Sequence, residues 1–339
     1  MTSNLRDVAE VAGVSLSTAS RVFTNAANVS DEVRARVLAA SAEVGYRPRD
    51  RMRRVQAVPL QKVLLFVRAH TRVQLPSMLG DFYGYILQGI EAECRRHRLP
   101  LIFAHDDHDI PLSDQLGDLD IDNETGILLL GPFTAADVAA VHQQLPVVQI
   151  NNVVDEPVDA ILPDYYAGAQ MAVRRLIAAG HRKIAYLHGR DRYTTRLRLD
   201  GYIAALREAG IEYDPELVAH SSMSPQSANE AIRRLLESGK EFTSIFCIND
   251  ITAYGAIRAL YEAGLRPGHD ISLVGFDDID LSGLTNVRLT TVHVPKLEMG
   301  AIAVRRLRER ASDPEGPPQR IILGVKLIER ESIRTIQTR

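Results

Sequence analysis

From residue 61 onward, short apolar runs alternate with longer amphipathic stretches, and this alternation constrains the fold more than any other property of the chain. The apolar runs at 62–67, 100–104, 126–130, 146–150, 183–188, 244–248 and 271–276 have strand length. The stretches at 82–96, 135–143, 165–179, 197–210, 226–238, 250–264 and 296–311 carry helical periodicity. Strands alternating with helices predict parallel sheets covered by helices, and so many elements exceed one small sheet. Two similar α/β lobes are therefore expected. The longest apolar runs, such as 63–67 and 127–130, fall far short of the ~20 residues a membrane span needs. The first residues turn polar within four positions, which does not read as a signal peptide. Cys94 and Cys247 lie within apolar-periodic segments and read as reduced core thiols of a cytoplasmic protein.

The net charge of -3 argues against nucleic acid until its distribution is considered. Residues 1–60 hold nine Arg and six acids, and the remainder holds 31 basic and 37 acidic residues. A basic head on an acidic body is what results when only one module meets phosphate. Within the head, Asn4 with Asp7 reads as a helix start, and Gly13 supplies the positive φ that ends the helix. Ser15 opens a second short helix through Phe23, and two helices joined by a Gly-containing turn form a helix-turn-helix. That second helix is small and polar, suited either to a DNA groove or to the solvent face of a three-helix bundle. Ser30 caps a third helix, whose buried stripe is predicted as Val33, Val37, Leu38 and Ala42.

The motifs Asp7-Val8-Ala9, Ala12-Gly13-Val14-Ser15, Ser17-Thr18-Ala19-Ser20-Arg21-Val22, Val29-Ser30 and Gly45-Tyr46-Arg47-Pro48 resemble the head of the LacI/GalR family of bacterial repressors. The resemblance implies that Leu16, Ser17 and Arg21 read bases, while Ser15, Thr18, Asn28 and Ser30 hold the DNA backbone. It implies a hinge that orders in the minor groove, where Val55 takes the wedge position and Met52 the usual small position, with Arg49 and Arg53 beside them. Arg47, Arg49, Arg51, Arg53 and Arg54 crowd this segment, so its DNA contact is expected to lean on counterion release.

In the body, Gly180-His181-Arg182-Lys183-Ile184-Ala185-Tyr186, Arg198-Leu199-Asp200-Gly201-Tyr202, Asn249-Asp250 with Ala253-Tyr254-Gly255-Ala256, and Ile271 to Asp278 are similar to the same family. The implied fold is an all-α helix-turn-helix head joined to an α/β periplasmic-binding-protein-like body of two parallel-sheet lobes, crossed three times by the chain. The division is 1–46 head, 47–60 hinge and 61–339 body, the first lobe about 61–163 and 294–322, the second about 164–293 and 323–339. Ligands of open α/β sheets bind beyond the carboxyl ends of strands, which selects Asn151, Asn249, Asp277 and, from the helix beyond 183–188, Arg198. Each of these also reads as an ordinary loop or cap residue. The family places stacking aromatics at Phe82 and Tyr83, and many relatives have Asp where Asn151 stands. Arg190, Arg192, Arg196 and Arg198 cluster in one loop. Arg190 and Arg192 are expected to face solvent, screened by Asp191; an inward turn of more than Arg198 would instead suit an anionic ligand.

No Gly-x-Gly-x-x-Gly, Gly-x-Ser-x-Gly, His-Glu-x-x-His or P-loop occurs, so no enzyme is expected. His105-Asp106-Asp107-His108-Asp109 has metal-ligand residue types, but five adjacent residues cannot all face one ion, and an acidic solvated loop is expected instead. No cofactor or metal is expected. A transport-type sugar-binding protein shares the body but not the head. The reading is a cytoplasmic, nucleoid-associated regulator, most simply a repressor of carbohydrate-utilisation genes. It binds a pseudopalindromic double-stranded operator as a homodimer, with a sugar or sugar derivative as effector and no membrane partner.

Overall fold

The computed structural model describes residues 5–15, 18, 19, 22, 30–44, 59–68, 82–104, 106, 107, 110–117, 119, 121–280 and 286–336. The chain divides into two compact units, 1–55 and 56–339. In the first, α1 (Leu5–Val11) and α2 (Asp31–Glu43) enclose a small core of Val8, Ala9, Ala12, Ala19, Val22, Val37 and Ala40. Gly13 has φ +62, and Val14 N returns to Ala9 O at 3.0 Å, which closes α1. The buried stripe of α2 is Val33, Val37, Ala40 and Val44, at the i, i+4, i+7, i+11 spacing of one helix face. The expected Leu38 and Ala42 lie on the opposite side of the helix, more than a third of a turn from that face, and Leu38 is 51% exposed.

The second unit holds two six-stranded sheets. β1 (Lys62–Val67), α3 (Phe82–Arg96), β2 (Leu101–Ala104), α4 (Leu112–Gly117), β3 (Thr125–Leu130), α5 (Ala135–His142), β4 (Val147–Ile150) and β5 (Asp159–Pro163) build the first lobe. The second follows with α6 (Tyr165–Ala178), β6 (Ile184–His188), α7 (Tyr193–Glu208), β7 (Val218–His220), α8 (Pro225–Glu237), β8 (Ser244–Cys247), α9 (Asp250–Glu262), β9 (Ser272–Asp277) and β10 (Thr290–His293). The chain then returns to the first lobe with α10 (Lys296–Ser312) and β11 (Arg320–Leu323), and ends in the second with β12 (Lys326–Ile328). Sheet orders are β11-β5-β4-β3-β1-β2 and β12-β10-β9-β8-β6-β7. Every pairing is parallel except β10 with β12. The chain thus passes between lobes three times, at 163–165, 293–296 and 323–326.

The central strands β3, β4, β6, β8 and β9 are buried throughout, because parallel sheets are covered on both faces. The elements absent from the sequence reading are β5, β7, β10, β11, β12 and α4. β7, β11 and β12 are short and partly exposed, and β10 is rich in Thr. β5 begins on an acid, Asp159, buried because Arg310 Nε and Gln319 N each donate to it at 2.7 Å and Arg306 lies 3.0 Å away. α10 lies directly on α3. A Cβ on Gly89 would stand 2.0 Å from Leu297 O, and one on Gly300 would stand 2.1 Å from Ile86 O. Among the described residues, no helix is long and apolar enough to cross a membrane.

Candidate functional site

The carboxyl ends of β6, β8 and β9 meet the first turns of α6 and α7. Arg198, on α7, is 4% exposed. Its guanidinium carbon sits 4.0 Å from the centre of the Tyr165 ring and 4.8 Å from that of Phe276, over two rings that pack side by side with centres 5.6 Å apart, a pair of cation–π contacts. Its Nε is buried and bonds to nothing among the described residues. Asp277 ends β9 and is 7% exposed, with Oδ1 likewise buried and without a hydrogen bond. Burial pushes Asp277 up to about 6, against the opposing charges of Arg198 and Lys296. Such a pair offers one charged donor and one charged acceptor that the protein itself leaves unsatisfied, which is rare in a folded interior.

The backbone around the pair is unusual. Asp277 has φ 104 and Asp278 φ 51, both in the left-handed region that non-glycine residues seldom enter. Lys296, at the start of α10 in the first lobe, is 5% exposed and donates Nζ to the carbonyls of Asp277 and, at 3.1 Å, Asp278. Asp278 accepts from Arg330 Nη2 at 2.6 Å and faces His293 Nδ1 at 2.8 Å. Burial works against its charge, yet these partners hold it below the usual carboxylate range. Behind Asp277, Asp250 is buried, accepting from Thr291 Oγ1 at 2.6 Å and Ile279 N at 3.0 Å. Burial, with Asp277 beside it, pushes Asp250 up to about 8, so it holds a proton at neutral pH.

The residues selected from sequence fall into three groups. Arg198, Asp277, Asn151 and Tyr83 are brought together. Asn151 has φ 64, and its Oδ1 accepts from the Tyr165 hydroxyl, which ties the end of β4 to the start of α6. The same amide acts on the phenol of buried Tyr83, and Asp277 and Arg192 reach that phenol electrostatically. Phe82 is half-buried, its ring 5.8 Å from Tyr83 and 6.0 Å from Lys296 Nζ. Asn249 caps α9: its Oδ1 accepts from Thr252 N at 2.9 Å, the helix-cap role that sequence also allowed.

Sequence reasoning missed Tyr165, Lys296 and Met223, and expected Arg192 to face solvent. Arg190 is exposed, and Asp191 pairs with Arg196 at 2.7 Å. Arg192 departs from expectation. It is half-buried, donates Nη2 to Met223 Sδ at 3.4 Å, and its charge acts on Tyr83 and Tyr165. Burial lowers it to about 10. It stands at the N-cap of α7 with extended backbone, and its N–H donates to Thr195 Oγ1 at 2.9 Å. No local pattern signals this, since Met223 and Tyr83 come from distant segments.

The His105–Asp109 run resolves differently. Asp106 is bound bidentately by Arg68, Nε to Oδ2 at 2.8 Å and Nη2 to Oδ1 at 2.7 Å, and Asp107 bonds Gln115 through its backbone. His105, His108 and Asp109 lie outside the described residues. Among those described, no group of His, Cys, Asp or Glu could hold a metal ion. Cys94 and Cys247 are free and buried.

In the head, Ser15 Oγ accepts from Thr18 N at 3.0 Å and meets Thr18 Oγ1 at 2.8 Å, while Ser30 Oγ accepts from Val33 N at 3.4 Å. Both serines therefore act as helix caps. Leu16, Ser17, Arg21, Asn28, Arg49, Met52, Arg53 and Val55 lie outside the described residues.

Comparison with known proteins covers both units. Residues 4–49 match the bacterial regulatory proteins of the lacI family, and residues 173–333 match the periplasmic binding protein-like domain. The ribose operon repressor of Haemophilus influenzae is 31% identical over 341 residues, covering 99% of this chain and all of that protein. Among solved structures, the transcriptional regulator CelR in complex with cellobiose superposes with a TM-score of 0.73 at 29% identity, covering 97% of this chain and 99% of that one. The lac repressor dimer bound to operator and the anti-inducer ONPF superposes with a TM-score of 0.67 at 26% identity, covering 98% and 100%. A helix-turn-helix head on a two-lobed body, matched end to end by such relatives, makes this chain a member of the lacI family of bacterial regulatory proteins.

Proposed function

We propose that the chain is a repressor, not an enzyme, that binds a pseudopalindromic operator as a homodimer in the bacterial cytoplasm and answers to a small sugar-like effector between its lobes. The observation that carries this is the buried pair Arg198 and Asp277, each with a polar atom left without a partner among the described residues, beside the packed rings of Tyr165 and Phe276. A charged donor beside a charged acceptor, walled by aromatic faces, suits vicinal hydroxyls on an apolar ring. Phe82, Tyr83 and Asn151 from the first lobe complete the wall, and Asn249 contributes its remaining amide hydrogens. The relatives named for a ribose operon and bound to cellobiose support a carbohydrate.

The head reads DNA through Leu16, Ser17 and Arg21, with Ser15, Thr18, Asn28 and Ser30 on phosphates. The hinge through Arg49, Met52, Arg53 and Val55 enters the minor groove. Two heads read two half-sites because dimer symmetry is mirrored in the operator. The edge strand β2 supports pairing of two bodies, since it presents Ile102 and a 60%-exposed Phe103 to solvent. Effector binding changes operator affinity by favouring one lobe arrangement over another.

The test selects an operator from a randomised palindromic DNA library and follows its binding by fluorescence anisotropy with and without a carbohydrate panel. Sugar-dependent change in operator affinity, lost on removal of residues 1–60 while sugar binding persists, is the expected result. Operator binding indifferent to every sugar, with response to a nucleobase instead, would refute the carbohydrate part. Substituting Arg49, Arg51 or Arg54 by Ala should lower the salt slope of operator binding by about one each.

A further inference from the structure

Two neighbouring carboxylates at the end of β9 are used in different ways. Asp277 keeps Oδ1 buried and without a hydrogen bond among the described residues. Asp278 is engaged on both oxygens: Oδ1 accepts from Arg330 Nη2 at 2.6 Å, and Oδ2 faces His293 Nδ1 at 2.8 Å. Both partners belong to the passages between the lobes. His293 ends β10 and opens the second passage. Arg330 follows β12, which the third passage delivers beside β10 with Lys326 opposite His293. Arg330 is itself fixed, with Nη1 on Leu289 O at 2.7 Å and its N–H on Thr290 Oγ1 at 2.9 Å. The first passage is tied to the third by Asp164 N, which donates to Leu323 O at 2.9 Å.

Lys296, where the second passage enters the first lobe, donates Nζ back to the carbonyls of Asp277 and, at 3.1 Å, Asp278. A buried ammonium depends on such acceptors, because leaving it unpaired is costly. Among the described residues, Asp277 and Asp278 are the one consecutive pair of non-glycine residues with positive φ, 104 and 51. Backbone of that kind persists only where its surroundings over-determine it. Here the surroundings come from both lobes. Lys296 holds the pair from the first lobe. Arg330, His293 and Asp250, which accepts from Ile279 N at 3.0 Å, hold it from the second. A rotation of α10 against β9 draws Lys296 off the two carbonyls, so this set of contacts belongs to one lobe arrangement and not to another.

We propose that Asp278, His293, Lys296 and Arg330 form a latch that sets the angle between the lobes, and that Asp278 is a positioning residue coupling Asp277 to that angle without touching effector. The preceding residue carries the free carboxylate, so an effector bound there acts on the backbone that Lys296 holds. Contacts that differ between two lobe arrangements are what coupling of effector to operator requires. Only the signal through Asp277 rests on the effector reading above; the latch does not.

The test uses the full chain and the selected operator, first without sugar. Asp278→Gly deletes the carboxylate at a φ that glycine adopts without strain, which preserves the fold. Asp278→Asn also tolerates left-handed backbone and can still accept from Arg330. Asp278→Gly and Lys296→Met should each shift sugar-free operator affinity by at least about fivefold, the lower end of ordinary allosteric coupling, and Asp278→Asn should restore most of it. Arg288→Gln, which breaks an exposed pair with Glu331 beside Arg330, should stay within about twofold. Spin labels at Glu91→Cys on α3 and Glu237→Cys on α8, both exposed, read the interlobe distance by double electron–electron resonance, the native Cys94 and Cys247 being buried. Asp278→Gly should broaden or shift that distance, and Asp278→Asn should match the unsubstituted chain. Operator affinity and distance both unchanged in Asp278→Gly would overturn the latch. Calorimetry with D-ribose, D-glucose and cellobiose separates the two readings. If none binds the unsubstituted chain, the carbohydrate reading falls while the sugar-free measurements still decide the latch. If Asp278→Gly loses sugar affinity with operator affinity and distance unmoved, Asp278 is a pocket residue and the proposal is overturned.

Discussion

Two buried arginines stand near the carboxyl ends of the two sheets, and they are held in opposite ways. Arg68, after β1, is saturated: Asp106 takes two of its nitrogens and Asp137 a third at 2.5 Å, with its face on Phe133 at 4.2 Å. Burial works against that charge, yet the two carboxylates hold it above the ordinary guanidinium value. Arg198 lies over the adjoining rings of Tyr165 and Phe276, and its Nε has no partner among the described residues. Both arginines are buried, so burial does not distinguish a strut from a binding group. The distinction lies in whether the protein has already satisfied the donors.

The largest expected effect falls on the strut. Arg68→Met leaves two buried carboxylates without their counter-charge and should cost about 3–5 kcal/mol of stability by urea denaturation. Adding Asp106→Asn and Asp137→Asn should recover much of it. A loss under 1 kcal/mol in the single variant would break the contrast. Next, Arg198→Met should weaken effector binding by about a hundredfold, or ~2.7 kcal/mol, while moving the melting temperature little. An Arg198→Met variant that loses several kcal/mol of stability, yet binds effector normally while folded, would reverse the two assignments.

Smaller effects sharpen the second pole through pH. Asp250 and Asp277 have folded values raised above the ordinary 3.8, to about 8 and about 6. Their contribution to stability is complete below about pH 4 and fades as pH rises through those values. Asp250→Asn can keep both partners, its carbonyl on Ile279 N and its amide on Thr291. It should remove an alkaline loss on the order of 2 kcal/mol between pH 6 and 8. An unchanged pH–stability curve would show that Asp250 ionises normally. Smallest of all, affinity for a neutral hydroxyl-bearing effector should fall several-fold from pH 7 to 5, as Asp277 gains a proton and can no longer accept two hydroxyls.

The same contrast explains what the sequence could convey. Strands buried on both faces announced themselves as continuous apolar runs, which is why 126–130 and 146–150 coincide closely with β3 and β4. β5 did not, because its first residue is an acid made tolerable by Arg306, Arg310 and the Gln319 N–H, some 150 residues away. The helix expected at 197–210 begins at Tyr193, because the chain passes through the Arg192 cap with no apolar residue to mark it. Asp277 and Arg198 were reachable through the rule of strand ends. Lys296 was not, since a lone cation in sequence looks solvated until distant aromatic rings and carbonyls close over it, and the crowd of arginines around Arg192 did not say which of them turns inward.

The three passages between lobes also govern how the protein can be made. The ribosome releases β6 through β10 while the first sheet still lacks β11 and the helix that covers Ile86 and Ile90. During that interval the open edge of β5 and the bare face of α3 offer surfaces for aggregation, and chaperone attendance is most valuable then. A premature stop codon near residue 295 would not yield one finished lobe and one missing lobe. It would remove α10 and β11 from the first and β12 from the second, leaving neither complete.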